Sequence, residues 1–228
     1  MKNKYNPEEF LTENIKDFSL YLDDCLNVLP QMPSNCVDYT LTSPPYNRKR
    51  NDKYRNFVDV NENWYEMNVS VIKELLRVTK KHVFYNIQTN YYNRQDVYKL
   101  IGEFHKEIKE IFVWGKTNPM PASGYSITNS VEYFLVLGNS ALKSNKTYTK
   151  NLLLTSVNSN MPKDFKAVMK PEVADFFISN FTQEGDLVLD CFLGIGTTGI
   201  SCKKFNRKFI GIEIEEQHFN KSKKLLQL

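Results

Sequence analysis

The sequence predicts an α/β fold, a mostly parallel sheet with helices on both faces in the Rossmann-like arrangement. Three observations predict it. Short apolar runs alternate with helical-period segments along most of the chain. A glycine-bearing turn, "LGIGTTG", joins an apolar run ending in Asp190 to a helical segment. Another apolar run, "CVDYTLT", stops on the corner "SPPY", where prolines lack backbone donors and cannot extend a sheet. With 228 residues, 41% of them hydrophobic, the chain can bury one sizeable core, so residues 1–228 are read as a single domain.

Taken in order, "FSLYLDD" reads as a short strand and "CLNVLPQM" as a brief helical turn before the strand "CVDYTLT". After a polar, basic loop at 47–62, "NENWYEMNVSVIKELLRVTK" sets Trp64, Met67, Val71, Leu75 and Val78 on one helical face. "HVFYNI" is a strand, "RQDVYKLIGEFH" a helix and "IKEIFVWG" a strand against which "SVEYFLVLG" pairs. Residues 139–165 are rich in Ser, Asn, Thr and Lys, have no sustained period, and read as a long loop or small insertion. "KPEVADFFISNF" opens with proline at a first-turn position and is a helix. Then come the strand "DLVLD", the helix "GTTGISCKKF", the strand "KFIGIE" and a final helix over "EEQHFNKSKKLLQL".

Composition narrows the function. Four cysteines form no CxxC pair and there are three histidines, so no metal site is expected and a reducing cytoplasm is the expected location. No apolar run approaches the roughly 18 residues of a membrane span, and "MKNKYNPEEF" lacks a secretory apolar core. Net charge is +4, too mild to name a partner by itself. Its placement says more: Arg48, Lys49, Arg50, Lys53 and Arg55 crowd the segment just after the proline corner. Such a cluster suits a solvated loop or a phosphate-bearing partner.

Gly194, Gly196 and Gly199 satisfy GxGxxG, and Glu213 ends the next strand about 20 residues on, as at a dinucleotide site. Asp190 argues against NAD, because a carboxylate at that strand tip would repel a pyrophosphate on the helix N-terminus. It suits instead the positive charge of S-adenosylmethionine, while Glu213 can grip a ribose diol. A tight turn with glycines needed only for packing is the plain alternative.

Together the two motifs resemble those of the amino-methylating DNA methyltransferases. "TSPPYN" is similar to their catalytic motif and "DCFLGIGTTG" to their cofactor motif. The catalytic motif comes first, which is the circularly permuted order of the beta group. The likeness extends over "LYLDDCLNVLPQMPSNCVDYTLTSPPYN", "VWGKTNPMPASGYSITNSVEYFLVLG", "MKPEVADFFISNF" and "GDLVLDCFLGIGTTGISCKKFNRKFIGIEIEEQHF". Cys191 departs from it by standing where a proline is common.

The resemblance implies an S-adenosylmethionine-dependent methyltransferase fold and methyl transfer to the exocyclic amino group of a base flipped out of double-stranded DNA. Ser43, Pro44, Pro45 and Tyr46 would then be catalytic: the Ser43 hydroxyl and Pro44 carbonyl accept from the amino group, and Tyr46 stacks on the base. It implies a cofactor site of Asp24, Lys170, Pro171, Asp190, Phe192, Gly194, Gly196, Thr197, Thr198 and Glu213. The plain alternatives are a helix cap for Asp24 and a helix start for Pro171. Arg48, Lys49, Arg50 and Lys53 would meet DNA phosphates, Asn118, with Pro119, would line the base pocket, and 139–165 would be a short target-recognition insertion. Serine ahead of Pro-Pro-Tyr favours N4 of cytosine, with N6 of adenine as the alternative. A protein-glutamine methyltransferase and a nucleotide-binding dehydrogenase or regulatory module are more distant alternatives. A homodimer and a cognate restriction endonuclease stay open as partners.

Overall fold

In the computed structural model, residues 17–47, 61–119, 127–157 and 168–228 are described. Among these residues, eight strands form one sheet: β1 (Phe18–Leu22), β2 (Val37–Thr42), β3 (Thr79–Ile87), β4 (Ile108–Lys116), β5 (Val131–Gly138), β6 (Leu152–Thr155), β7 (Leu187–Asp190) and β8 (Lys208–Glu213). Their order is β1-β8-β7-β2-β3-β5-β4-β6, with β5 antiparallel to both neighbours and every other pairing parallel.

The helices divide between the two faces. On one side lie α1 (Cys25–Val28), α2 (Trp64–Val78) and α3 (Arg94–Glu103), packed through Val71, Leu75, Val97 and Leu100 onto Val83, Tyr85 and Ile87. On the other lie α4 (Pro171–Phe181), α5 (Thr197–Lys204) and α6 (Glu216–Leu226). That side is aromatic: Phe177 of α4 sits 4.3 Å from Phe134 and 5.0 Å from Phe84, centroid to centroid. Alternate residues of each central strand therefore feed two separate cores, which is why these strands read as nearly continuous apolar runs.

Two details differ from the sequence reading. Helix α2 stops at Val78 rather than running on to Lys80: Thr79 turns extended, and its hydroxyl meets that of Thr40 at 2.7 Å within the sheet. Within 139–165, the described residues include β6, a four-residue edge strand docked on β4. Four residues carry no readable period. What recruits them is tertiary: parallel pairing with β4 and a 2.9 Å bond from the Trp114 indole to the Thr155 hydroxyl.

Strands β2 and β7 are parallel neighbours at the centre. From β2 the chain crosses through α2 on one face to β3; from β7 it crosses through α5 on the opposite face to β8. The strand order reverses there, and open α/β sheets bind ligands at the carboxyl ends of such a switch point. Thr42 and Asp190 occupy those two ends, and the Thr42 hydroxyl donates to the Asp190 carboxylate at 2.7 Å.

Candidate active site

A cleft of about 670 Å³ opens over this switch point, lined on one side by Asp190, Phe192, Gly194 and Glu213 and on the other by Ser43 and Tyr46. Both sides follow from strand ends, where backbone leaves the ladder and side chains can turn toward a ligand.

On the β7–β8 side, Asp190 is buried and burial pushes its carboxyl above the usual range. Three donors oppose that: the Thr198 hydroxyl at 2.7 Å, the Thr42 hydroxyl at 2.7 Å and the Phe192 N–H at 3.1 Å. A carboxylate offers about four lone-pair positions, so roughly one is left for a ligand. Glu213 accepts the Gly194 N–H at 2.7 Å on one oxygen and the Glu215 N–H at 2.8 Å on the other. Burial outweighs both and raises its pKa to about 7. Gly194 and Gly196 have φ of +54° and +89°, the left-handed region that glycine enters without strain. Gly199 serves packing, since a Cβ there would meet the Phe209 ring at 2.8 Å.

On the β2–β3 side, the Ser-Pro-Pro-Tyr corner is held by its own carbonyls. The Trp64 indole N–H donates to the Pro45 carbonyl at 2.6 Å, and the Asn90 and Asn93 amides donate to that of Tyr46 at 2.7 and 2.9 Å. Among the described residues no donor reaches the Pro44 carbonyl, the one the sequence reading assigns to the substrate. Tyr46 lines the cleft but is only 6% exposed, so most of the side chain is packed and one part of it faces the cleft. Its hydroxyl donates to Glu132 Oε2 at 2.9 Å, lies 2.9 Å from Ser43 Oγ and accepts from the Asn86 amide at 2.9 Å. Lys116 is ion-paired with the other Glu132 oxygen.

The structure thus brings Ser43, Pro44, Pro45, Tyr46, Asp24, Asp190, Phe192, Gly194, Thr197, Thr198 and Glu213 around one cleft. Asp24 is also the N-cap of α1, accepting the Leu26 N–H at 2.9 Å, so its capping and site readings coexist. Gly196 caps α5 beside Ser222 and shapes the turn without lining the cleft. Lys170 and Pro171 do not line it either: Lys170 reaches the Ser156 hydroxyl at 3.0 Å, and the wall nearby is Val168 and Met169. Asn118 is exposed and accepts the Val157 N–H at 2.7 Å, tying β4 to the end of β6. Arg48, Lys49, Arg50 and Lys53 lie outside the described residues. Their flanks are described: Asn47 and Asn61 exchange bonds of 2.9 and 3.1 Å beside the cleft. Sequence reasoning missed Glu132, Asn86, Lys116, Trp64, Asn90 and Asn93 as parts of the site. The available signal was a glutamate inside the apolar strand "VEYFLVLG".

A family model described as DNA methylase, for N6 and N4 methyltransferases, matches residues 37–224. The chain belongs to this family of DNA amino-methyltransferases, whose methyl donor is S-adenosylmethionine. It is 26% identical to the type II methyltransferase M.HinfI of Haemophilus influenzae, over 95% of this chain and 71% of that protein. It is 28% identical to M.MwoI of Methanothermobacter wolfeii, over 90% of this chain but a third (33%) of that longer protein. Among solved structures, the cytosine-N4-specific PvuII DNA methyltransferase superposes with a TM-score of 0.74 at 21% identity, covering 91% of this chain and 85% of that one. A modification methylase of Thermus thermophilus bound to S-adenosylmethionine gives 0.67 at 18%, covering 92% and 93%.

The residues present fit that donor. Two acids at adjacent strand tips, in a cleft whose walls include Phe192, Leu193 and Met169, match a molecule with a cationic end, a ribose diol and an aromatic base. Asp24 and Glu213 would hold its adenosine end, and Asp190 would face its positive charge. When bound, it supplies an electrophilic methyl group.

Proposed function

We propose that this chain methylates the exocyclic amino group of a base extruded from double-stranded DNA, with N4 of cytosine as the target. An exocyclic amino group is a poor nucleophile because its lone pair is delocalised into the ring, and inside a duplex it is out of reach. The observation that carries the reading is the Ser-Pro-Pro-Tyr corner itself. Its Pro45 and Tyr46 carbonyls are engaged internally, while Ser43 Oγ and the Pro44 carbonyl remain at the cleft. Two acceptors there draw the amino hydrogens away and favour a pyramidal nitrogen whose lone pair points at the methyl group. Tyr46 holds the ring, a stacking contact worth about 1–3 kcal/mol. The rest is positioning and electrostatics.

Serine supports cytosine because its short hydroxyl places the amino group differently from a carboxylate or amide at the same position. The basic segment that leaves at Asn47 and returns at Asn61 supports contacts to DNA phosphates by Arg48, Lys49, Arg50 and Lys53, which position a duplex without reading it. The type II relatives make a cognate restriction endonuclease the partner to seek. The test is to methylate mixed-sequence duplex DNA, digest it to nucleosides and weigh the products. N4-methylcytosine is the expected species; N6-methyladenine as the sole product would overturn the cytosine assignment.

A further inference from the structure

The acceptor role of Ser43 poses a problem of its own. A serine hydroxyl both donates and accepts, and one free to rotate would bind a keto oxygen as readily as an amino group. Something must point its proton away from the substrate.

Glu132 supplies the direction. It is 3% exposed and sits at the start of β5, beside the ends of β3 and β4. It is ion-paired with Lys116, and a carboxylate can only accept. The Tyr46 hydroxyl, 2.9 Å from Oε2, must therefore donate to it. The Asn86 amide donates to the same Oε2 at 3.0 Å and to the Tyr46 oxygen at 2.9 Å. Turning that amide over would set its carbonyl against a carboxylate, so its orientation is fixed as well. With the Tyr46 proton committed, the Ser43 hydroxyl 2.9 Å away must donate to the Tyr46 oxygen. Ser43 is left with lone pairs, one of them approached by the Asn86 amide at 3.4 Å, and it lines the cleft.

We propose that Glu132, acting through Tyr46, is a specificity-determining positioning residue: it fixes Ser43 as a hydrogen-bond acceptor and makes the pocket select bases that present an amino group over the same rings bearing a keto oxygen. Cytosine is taken over uracil, and adenine over hypoxanthine. This rests on Ser43 and Tyr46 forming the base pocket, but not on which amino-bearing base is the target.

The substitution Glu132→Gln keeps the shape and removes the acceptor that directs the chain. With its carbonyl turned to Lys116, the new amide offers donors where Tyr46 and Asn86 had an acceptor, so the Tyr46 proton is no longer committed there and Ser43 can turn its own proton into the cleft. The experiment first identifies the methylated nucleoside and its site using the unaltered protein. Duplexes carrying that base or its keto counterpart at the site are then titrated against unaltered and variant protein loaded with S-adenosylhomocysteine. The unaltered protein should prefer the amino base, and Glu132→Gln should shrink that preference by about tenfold or more, the worth of one hydrogen bond replaced by a repulsive one. Tyr46→Phe, which leaves the buried ion pair in place, should shrink it too. The double variant should add nothing further. A preference unchanged in a folded, cofactor-binding Glu132→Gln protein would overturn the proposal, as would an unchanged preference in Tyr46→Phe should the glutamine variant fail to fold. An unaltered protein that methylates DNA without preferring the amino base would overturn it as well. No methylation of any base by the unaltered protein would instead strike the function proposed above.

Discussion

On the β7–β8 side of the cleft, Glu213 is held by N–H groups 2 and 19 positions away, and Asp190 partly by residues 2 and 8 positions away. On the β2–β3–β5 side, Tyr46 is held by Asn86 and Glu132, which are 40 and 86 positions away. The first side is assembled by a turn and its helix, the second by the sheet. A turn motif carries its ligand geometry wherever it folds; a network gathered from three strands exists only once the sheet is complete. Thr42 crosses between them, its hydroxyl donating to Asp190 at 2.7 Å and accepting the Phe192 N–H at 3.2 Å.

Removing that crossing point should have the largest effect. Asp190→Ala strands the hydroxyls of Thr42 and Thr198 and should cost about 2–4 kcal/mol of stability. It should lower both cofactor affinity and turnover, read by thermal unfolding and calorimetry alongside a methylation assay. If stability held while cofactor binding vanished, Asp190 would belong to the turn alone.

Next, Tyr46→Ala should separate the sides. Loss of stacking and of the ordering of Ser43 should reduce turnover by about a hundredfold, with calorimetric cofactor affinity within about twofold of the parent. A matching fall in cofactor affinity would show that the two sides are not independent.

Glu213 gives a smaller, graded effect. Its folded pKa, raised to about 7, lies above that of the unfolded chain. Between about pH 4.3 and 7 the native state therefore holds the extra proton, and its contribution to apo stability is full below that window and lost as pH rises through 7. Hydrogen bonds from a ribose diol favour the ionised carboxylate, so cofactor affinity should run the opposite way. It should fall by up to tenfold per unit below pH 7 and level off above it. Glu213→Gln should flatten that dependence, and a profile unchanged in the variant would assign the titration to another group.

The smallest expected effect lies on neither side. Neutralising Arg48, Lys49 and Arg50 together should weaken DNA binding on all sequences and reduce the salt slope by about 1 for each phosphate that is no longer neutralised. An unchanged slope would remove this segment from the DNA path.

The same contrast explains what is readable from the sequence alone. The glycine turn, Asp190, Glu213 and the proline corner are legible because each is a short run with its own chemistry. The parallel order also follows from alternating elements, and the antiparallel β4–β5 pair from two adjacent apolar runs. Asn86 and Glu132 are hidden inside the apolar runs "HVFYNI" and "VEYFLVLG", where a polar residue acquires meaning only from what the neighbouring strand places beside it. Trp64 reads correctly as a core residue of α2, yet its indole N–H also fixes the Pro45 carbonyl. Strand β6 escapes notice because pairing with β4, rather than its own pattern, makes it a strand. Lys170 belongs to a motif whose neighbours, Val168 and Met169, line the cleft in its place.

The reversed strand β5 has a consequence for how such a site can change over time. Each parallel strand offers the ligand-binding edge only its last residues, so altering a group there disturbs the connection into the following helix. Strand β5 runs the other way and offers its first residues, Val131 and Glu132, while β4 offers its last, Lys116. The link between them, residues 117–130, therefore opens at the same edge as the cleft, and its described residues include no helix. The register of β4 and β5 is set by their own pairing, so a change of length in that link would leave Lys116 and Glu132 paired beneath it.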